Sequence, residues 1–400
     1  MGIRITRREL ALAAAGAASA ARGQSPNPAA PNHQTNNQAS QKFAYAGALD
    51  GLENQVDLET FDPVRWTLQR HDSAPLRLSF RATTRPQAEA WQKELRSKLL
   101  DLLGGFPSQR TPPRAKTLEV RSFSTHKREK FVFESRPGVG VLGYLLTPLK
   151  TTEPLATVVC IPGHGRGVDD LVGIDDQGRE RATKVGYEYD FAIQAVERGL
   201  AAVAIEPMAF GCRRDAITKA KGATAYACQP VAGSALLLGE TLLGWRIYDV
   251  MRTLDWIETR PELNAKRIGC MGISGGGTCA LFAAAVEPRI RAALVSGYLN
   301  TFRASIMSMS HCMDNYVPGI LQWAEMYDIA GLIAPRPLFS EGGDRDPIFP
   351  VNATRESFAR VKQVYEVFGA PDAVQQEIFP GVHEFHGVRG LPFLADALKA

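Results

Sequence analysis

The feature that most constrains the fold is an apolar run that ends in Gly-Ile-Ser-Gly-Gly at positions 272–276. A segment of small residues with a helical pattern follows it. A G-x-S-x-G sequence between a strand and a helix is typical of a tight turn that holds the serine hydroxyl clear of a sheet. The two outer glycines let neighbouring backbone approach that turn. Because the pentapeptide alone is a weak signal, its interpretation depends on the rest of the chain.

Strand and helix patterns alternate from residue 155 onwards. Continuous apolar runs at 155–161 and 200–205 predict strands buried on both faces. Amphipathic patterns near 187–198 and 239–259 predict helices. Further strands are predicted directly before Ser274 and at 290–295, 337–341 and 373–378, with helices at 353–368 and 391–398. Such alternation predicts an α/β fold with a mostly parallel sheet covered by helices on both faces.

Two long segments interrupt this alternation, at 206–238 and 298–328. Neither has a clear period, so we expect irregular loops there. Long loops inside a compact domain are usually functional. These two are expected near the carboxyl ends of the strands, where ligands bind in open α/β sheets.

The chain before residue 155 has a different pattern. Apolar residues at spacings of three and four predict a helix over 86–103, which Gly104 and Gly105 end. Three β-rich segments, at 120–124, 130–134 and 141–147, predict antiparallel strands. We therefore expect an N-terminal helical extension over residues 46–116 and a catalytic domain over residues 117–400.

The N-terminus resembles a twin-arginine export signal. Arg7 and Arg8 precede a short apolar run at 10–20 that ends in small residues suited to cleavage. That run is too short to span a bilayer. Residues 21–45 are rich in polar residues and predict a disordered tether. The expectation is a signal peptide over residues 1–20 and a periplasmic or secreted protein; a leader with chance arginines is the alternative.

Charge and cysteine usage narrow the possible partners. A formal net charge of +4 over 400 residues gives no reason to expect nucleic-acid binding. No two cysteines form a C-x-x-C pair, so no zinc site is expected. Three cysteines lie in apolar strand or helix patterns and predict buried thiols: Cys160, Cys270 and Cys279. Three others lie in loop-like regions, where an exported protein could join two of them in an undecided pairing: Cys212, Cys228 and Cys312.

A nucleophilic serine needs a general base, and the base needs an acid that orients it. Of the seven histidines, four follow the first buried strand: His164, His311, His383 and His386. His383 comes directly after the last predicted strand, so it is the predicted base. His386 is an alternative base, although we expect it to support the loop or the pocket wall.

The acid is expected after a strand that lies between the serine and the histidine in the chain. The strand at 337–341 runs into Gly-Gly-Asp-Arg-Asp, which offers Asp344 and Asp346. Asp346 is preferred because Asp346 and Pro350 fit a D-x-x-x-P pattern, which recurs in enzymes with a serine, an acid and a histidine in this order. Asp344 remains the alternative.

The oxyanion of a tetrahedral intermediate needs backbone N–H donors. Gly275, the residue after the nucleophile, is one predicted donor. The glycine-rich loop at 162–167 follows the first buried strand, and the N–H of Arg166 is the predicted second donor. His164 would then orient this loop or contact the substrate rather than act as a base.

The second long segment carries several large side chains that could form a lid over the substrate, although simple packing is an equal alternative. Three of them are candidate substrate-binding residues, together with His164 and His386: His311, Tyr316 and Trp323.

Taken together, these motifs resemble α/β-hydrolases of the dienelactone-hydrolase and acetyl xylan esterase-like groups. The resemblance covers about residues 85–400 and depends on the loop around His164, positions 272–276, Asp346 to Pro350, and His383 with Glu384. It implies an eight-stranded, mainly parallel sheet and hydrolysis of esters, often of acetylated sugars, without metal or cofactor. Dienelactone hydrolases use a cysteine nucleophile, whereas Ser274 stands here, so ordinary ester hydrolysis is expected.

The leading hypothesis is therefore an exported serine esterase that acts through an acyl-enzyme on a small-molecule or oligosaccharide ester. A peptidase of the prolyl-oligopeptidase type uses the same order of residues, but the roughly 100 residues before the hydrolase cannot form a propeller. A non-catalytic binding protein on this scaffold is the third hypothesis, and the intact order of serine, acid and histidine argues against it. The oligomeric state stays open.

Overall fold

The long apolar runs of the chain form the centre of a single sheet. The computed structural model describes residues 47–150 and 153–399, and the predicted signal peptide and the predicted tether both lie outside them. Strand β4 is buried along almost its whole length, as expected for a strand covered on both faces. The strands are β1 (Lys116–Ser122), β2 (His126–Arg136), β3 (Val139–Pro148), β4 (Leu155–Ile161), β5 (Ala201–Ile205), β6 (Leu263–Ile273), β7 (Ile290–Ser296), β8 (Leu338–Gly343) and β9 (Val374–Phe379).

The order of these strands is β1-β2-β3-β5-β4-β6-β7-β8-β9. The run from β5 to β9 is parallel throughout, whereas β1, β2 and β3 pair antiparallel and β3 joins β5 antiparallel. The prediction of a mostly parallel sheet is confirmed. The expected count of eight strands is wrong for the described residues, because an antiparallel edge strand, β1, makes nine.

Helices cover both faces of the sheet. The α-helices are α1 (Pro63–Asp72), α2 (Arg85–Leu102), α3 (Phe191–Glu197), α4 (Ala216–Lys219), α5 (Cys228–Leu237), α6 (Leu242–Ile257), α7 (Gly275–Val286), α8 (Met326–Gly331), α9 (Val351–Val367) and α10 (Gly390–Lys399). The larger core lies on the side of α2, α6 and α7. A second core, on the opposite face, is built from α3 and α10. No helix in the described part of the chain is both long and apolar enough to cross a membrane.

Helix α2 is an integral part of the larger core. Its apolar face, with Trp91, Leu95 and Leu99, is buried. Gln92 donates hydrogen bonds to the carbonyls of Gly331 and Ala334. The segment predicted as an N-terminal extension thus packs directly on the helices of the catalytic domain.

The segments predicted as irregular contain more structure than expected. Residues 206–238 hold α4 and α5, and residues 298–328 hold the short 3₁₀ turns Met313–Asn315 and Ile320–Gln322 and the start of α8. The prediction failed for α5 because its sequence includes Pro230 and Gly233, which weaken any helical signal. Its burial depends on contacts with distant parts of the chain.

Candidate active site

Ser274 lies at the junction between β6 and α7. Its backbone has φ 56° and ψ −122°, an unusual conformation for a residue with a side chain. Such a residue costs about 1–3 kcal/mol and persists only where the surrounding structure enforces it. The side chain is half-buried, so the hydroxyl is not sealed in the core. This is the strained serine turn that the pattern predicted.

The two outer glycines of the turn are required by close backbone contacts. A Cβ atom at Gly276 would lie 2.0 Å from the carbonyl oxygen of Ile161 at the end of β4. A Cβ atom at Gly272 would lie 2.4 Å from the carbonyl oxygen of Gly276. Any side chain at either position would force β4, β6 and α7 apart, and the turn would open.

His383 and Asp346 form a close pair at the carboxyl edge of the sheet. His383 Nδ1 lies 2.7 Å from Asp346 Oδ2. The other carboxylate oxygen of Asp346 accepts hydrogen bonds from the backbone N–H groups of Ile348 at 2.9 Å and Phe349 at 3.1 Å. These contacts fix the rotation of the carboxylate. His383 Nε2 is buried and has no hydrogen-bond partner among the described residues.

The imidazole of His383 is held between aromatic rings. Its centroid lies 6.0 Å from that of Tyr187 and 5.6 Å from that of Phe349, and both rings are nearly parallel to it. A Cβ atom at Gly297 would lie 3.0 Å from His383 Cε1 and 3.5 Å from Ile273 Cγ1. The ring is thus positioned beside the residue that precedes Ser274.

The alternative acid, Asp344, and the alternative base, His386, make other contacts. Asp344 is exposed, and its carboxylate accepts a hydrogen bond from the N–H of Gly381 at 3.0 Å, so it shapes the loop that carries His383. His386 stacks on Phe379 with centroids 4.4 Å apart, and its Nε2 lies 3.7 Å from Glu377. These contacts are consistent with the expectation that His386 supports the loop or the pocket wall. They give no support to the prediction that His386 binds substrate.

The loop after β4 lies directly against the serine turn. A Cβ atom at Gly163 would lie 3.1 Å from the Cβ of Ser274. Gly275 is the first residue of α7, so its N–H belongs to the free donors at the positive end of a helix.

The prediction for Arg166 needs correction. Its backbone N–H donates to the Asp170 carboxylate at 3.2 Å. Its guanidinium also pairs with Asp170 and donates to the carbonyl of Ile174. Both donors are engaged away from the serine, so this N–H is not available as the second donor in this geometry.

The profile of the Abhydrolase family matches residues 65–385, which is most of the chain. The chain belongs to this family. The fold and the serine turn agree with that assignment.

Known proteins of similar sequence and structure are consistent with the family. YtaP of Bacillus subtilis (strain 168), which is named as a hydrolase, is 27% identical over 286 residues, covering 70% of this chain and 89% of YtaP. A Bacteroides fragilis NCTC 9343 protein assigned as an acetyl xylan esterase superposes with a TM-score of 0.67 at 22% identity, covering 80% of this chain and 82% of that one. A glucuronoyl esterase from Solibacter usitatus superposes with a TM-score of 0.60 at 15% identity, covering 82% and 98%. At these identities the two structures support the shared α/β-hydrolase fold.

In this Abhydrolase-family protein a second histidine lies next to the serine turn. A Cβ atom at Gly275 would lie 2.7 Å from the Cε1 of His164. His164 Nε2 lies 3.4 Å from the buried carboxylate of Asp314. Burial lowers the pKa of His164, but Asp314 outweighs that effect and raises the pKa to about 9. Because Nε2 of His164 faces Asp314 and the Cys228 sulfur, its surroundings are consistent with the expectation that His164 is not the base.

Three further side chains surround this histidine. Arg246 is buried and forms an ion pair with Asp314. Arg246 also donates to the sulfur of Cys228 at 3.2 Å, and that sulfur lies 3.7 Å from His164 Nε2. Cys312, through a hydrogen bond, and Arg246 lower the pKa of Cys228 despite its burial. No local motif predicted Arg246 or Asp314, because their partners are far away in the sequence.

The predicted lid residues do not share one location. The His311 ring contacts the Phe349 ring edge-to-face, with centroids 5.4 Å apart. Its Nε2 lies 2.9 Å from the hydroxyl of Ser305. Burial lowers the pKa of His311 to about 4. One aromatic ring, that of Phe349, thus separates His311 from His383.

Trp323 lies elsewhere. Its ring faces Lys98 of α2, whose ammonium is 4.8 Å from the ring centroid. It lines a surface depression with residues of α2 and packs on the larger core. The ring thus serves the contact between α2 and the second long segment, and nothing in these contacts supports the predicted role of Trp323 in substrate binding.

Tyr316 lines a largely apolar cavity of about 860 Å³ between α1 and the segment 302–322. Trp66, Phe302 and Met307 are other members of its wall, and neither Ser274 nor His383 is among them. The cavity is thus separate from the serine and the predicted base. Its size is within the range of small-molecule pockets.

Proposed function

We propose that this protein is a serine-dependent carboxylic-ester hydrolase that acts through an acyl-enzyme. The observation that carries the proposal is the His383–Asp346 pair at 2.7 Å. The outer nitrogen of this imidazole is buried without a hydrogen-bond partner among the described residues, and the ring lies beside Ile273, the residue before the strained Ser274. An unpaired buried nitrogen is costly unless a reacting group uses it. The order of Ser274, Asp346 and His383 along the chain also follows that of the triad in hydrolases of this fold.

In the proposed reaction His383 Nε2 takes the proton from the Ser274 hydroxyl as the oxygen attacks the ester carbonyl. Asp346 holds the imidazole with Nδ1 protonated and stabilises the imidazolium. The protonated His383 then gives its proton to the leaving alcohol. Water, activated by the same nitrogen, releases the acyl group from the serine.

The oxyanion is bound by the backbone N–H of Gly275 and, in place of Arg166, by that of His164. Gly163 lies against Ser274, so the peptide that follows Gly163 is close to the reacting atoms. The N–H of Gly163 itself donates to Glu188 at 2.8 Å and is thus engaged. Two N–H donors on opposite sides of the serine would stabilise the developing charge without reorganisation.

The proposed substrate is a carbohydrate ester. Two structures that share this fold are an assigned acetyl xylan esterase and a glucuronoyl esterase, and these names motivate the substrate class. We also propose that residues 1–20 direct export, as an enzyme for extracellular polysaccharide requires.

The test is a substrate panel of p-nitrophenyl acetate, acetylated xylan, a methyl glucuronate ester and a prolyl p-nitroanilide. We expect turnover of the esters and none of the anilide. Ser274→Ala should lower kcat about 10⁴-fold or more, whereas Ser97→Ala, on the exposed face of α2, should leave it unchanged. Turnover of the anilide alone would refute the ester assignment, and full activity in Ser274→Ala would refute the nucleophile.

A further inference from the structure

Four potential metal ligands from three separate segments converge on one point next to Gly275. His164 comes from the loop after β4, Cys228 is the first residue of α5, and Cys312 and Asp314 flank the start of the 3₁₀ turn Met313–Asn315. Their donor atoms all lie within 4.8 Å of one another. Cys228 and Asp314 are buried, and the other two are half-buried. The cluster thus combines two side chains shielded from solvent with two that are partly exposed.

Two of the six distances between donor atoms in the cluster match those of a tetrahedral site. In a tetrahedral zinc site with bonds of about 2.0–2.3 Å, a nitrogen and an oxygen ligand lie about 3.4 Å apart, and a sulfur and a nitrogen about 3.6 Å apart. His164 Nε2 lies 3.4 Å from Asp314 Oδ2 and 3.7 Å from Cys228 Sγ. These two distances between donor atoms are those that a central zinc-class ion requires, and all four donor atoms lie within 4.8 Å of one another.

The charges around the cluster favour a cation at its centre. Two thiolates and the Asp314 carboxylate would carry three negative charges, and a divalent ion would neutralise two of them. Arg246 supplies the remaining positive charge from outside, since it is buried and contacts both Asp314 and the Cys228 sulfur. Such outer contacts orient ligands and balance the charge of a metal site.

We propose that His164, Cys228, Cys312 and Asp314 bind one zinc-class divalent ion with structural function. All four positions of a tetrahedral ion are filled by protein, so the ion would have no open position for a substrate. Its binding displaces the protons of the thiols and of the imidazole to solvent. The ion would link the loop after β4 to both long segments and would hold the ring of His164 against Gly275.

A disulfide between Cys228 and Cys312 is the competing outcome. It would use two of the four donors and remove the thiolate that faces Arg246. Arg246 would then have Asp314 as its anionic partner in the cluster and would face a neutral sulfur. A metal-bound thiolate keeps a charge that accepts this guanidinium hydrogen bond, and charge-assisted hydrogen bonds are the stronger ones, so the contact of Arg246 with sulfur fits a metal better than a disulfide.

The first experiment measures the metal content and the thiols of the full chain purified under reducing conditions with added Zn²⁺. We expect about one zinc per chain after dialysis and all six cysteines reactive once the protein is denatured with a chelator. Replacement by Co²⁺ should give the intense visible absorption and the thiolate charge-transfer band of a tetrahedral site. No bound metal, or two fewer reactive thiols in the absence of reductant, would overturn the proposal.

The second experiment locates the ion. Cys228→Ser and Cys312→Ser should each weaken Zn²⁺ binding at least about 10-fold and abolish the Co²⁺ charge-transfer band. The matched control is Cys212→Ser, since Cys212 is exposed and outside the cluster, and it should retain both signals. Far-ultraviolet circular dichroism establishes that each variant is folded. Retention of the full metal content in the folded Cys228→Ser, Cys312→Ser double variant would refute the site, whatever the esterase assay shows.

Discussion

His383 and His164 both lie at the carboxyl end of β6, and both pair with a buried aspartate. Asp346 contacts His383 at 2.7 Å, and its other oxygen accepts only backbone N–H groups. Asp314 contacts His164 at 3.4 Å and also forms an ion pair with the buried Arg246. Among the described residues the outer nitrogen of His383 has no hydrogen-bond partner, whereas His164 faces Asp314 and a cysteine sulfur.

This difference shows that a histidine and an aspartate in contact do not by themselves define a catalytic pair. In the proposed mechanism His383 exchanges a proton, because one nitrogen is anchored and the other has no partner among the described residues. His164 Nε2 instead faces the Asp314 carboxylate and the Cys228 sulfur. Under that mechanism the same two residue types serve proton transfer in one pair and local structure in the other.

The largest expected effect comes from Asp346→Asn. The amide would favour the wrong imidazole tautomer, so kcat should fall about 10⁴-fold, while the free energy of unfolding changes by less than about 1 kcal/mol. Steady-state kinetics and urea unfolding measure the two quantities. A loss of kcat below 10-fold would show that Asp346 is not the acid, and Asp344→Asn is the matched control.

The same substitution in the other pair, Asp314→Asn, should affect stability rather than chemistry. It leaves Arg246 buried without its anionic partner, which typically costs about 3–5 kcal/mol. The activity of the folded fraction should fall by less than about 10-fold. Equal losses of kcat in Asp314→Asn and Asp346→Asn, with unchanged unfolding, would abolish the distinction between the two pairs.

Gly275→Ala tests the contact between His164 and the serine turn. The added methyl group would lie 2.7 Å from the imidazole, so the ring and the oxyanion donors must shift. We expect kcat to fall about 10- to 100-fold, as for displacements of about 1 Å near reacting atoms. Gly233→Ala is the control, because its methyl group meets no atom within 4 Å. Comparable kinetics in the two variants would contradict the close contact.

His386→Ala is expected to have the smallest effect. The change removes a stack on Phe379 worth about 1 kcal/mol and leaves His383 in place, so kcat should stay within about 3-fold. If activity is instead lost here and kept in His383→Ala, the base has been assigned to the wrong histidine.

Much of the parallel sheet could be predicted from the sequence, because apolar runs and turn residues are local signals. Strand β4 spans the predicted residues 155–161, and Ser274 follows β6 as expected. Asp346 and His383 could be placed together since each follows a parallel strand, and such ends meet at one edge. These local patterns sufficed to locate the proposed triad.

Contacts between distant segments could not be predicted in this way. Arg246 and Asp314 are separated by 68 positions and meet only in the folded chain. Arg166 has the expected place in its loop, but Asp170 four residues later takes its N–H. The four residues of the proposed metal site come from three separate segments and share no short motif, so their convergence is visible only in the folded chain.

The packing of α2 has a consequence for where this protein can be shortened. Arg96 donates to the carbonyls of Ala285 and Leu332, so it covers the last turn of the helix that begins after Ser274. A chain that starts at the predicted boundary, residue 117, would expose an apolar surface on the hydrolase and leave those carbonyls without donors. Truncation at that boundary would therefore yield an aggregation-prone fragment, and the smallest autonomous folding unit includes α2.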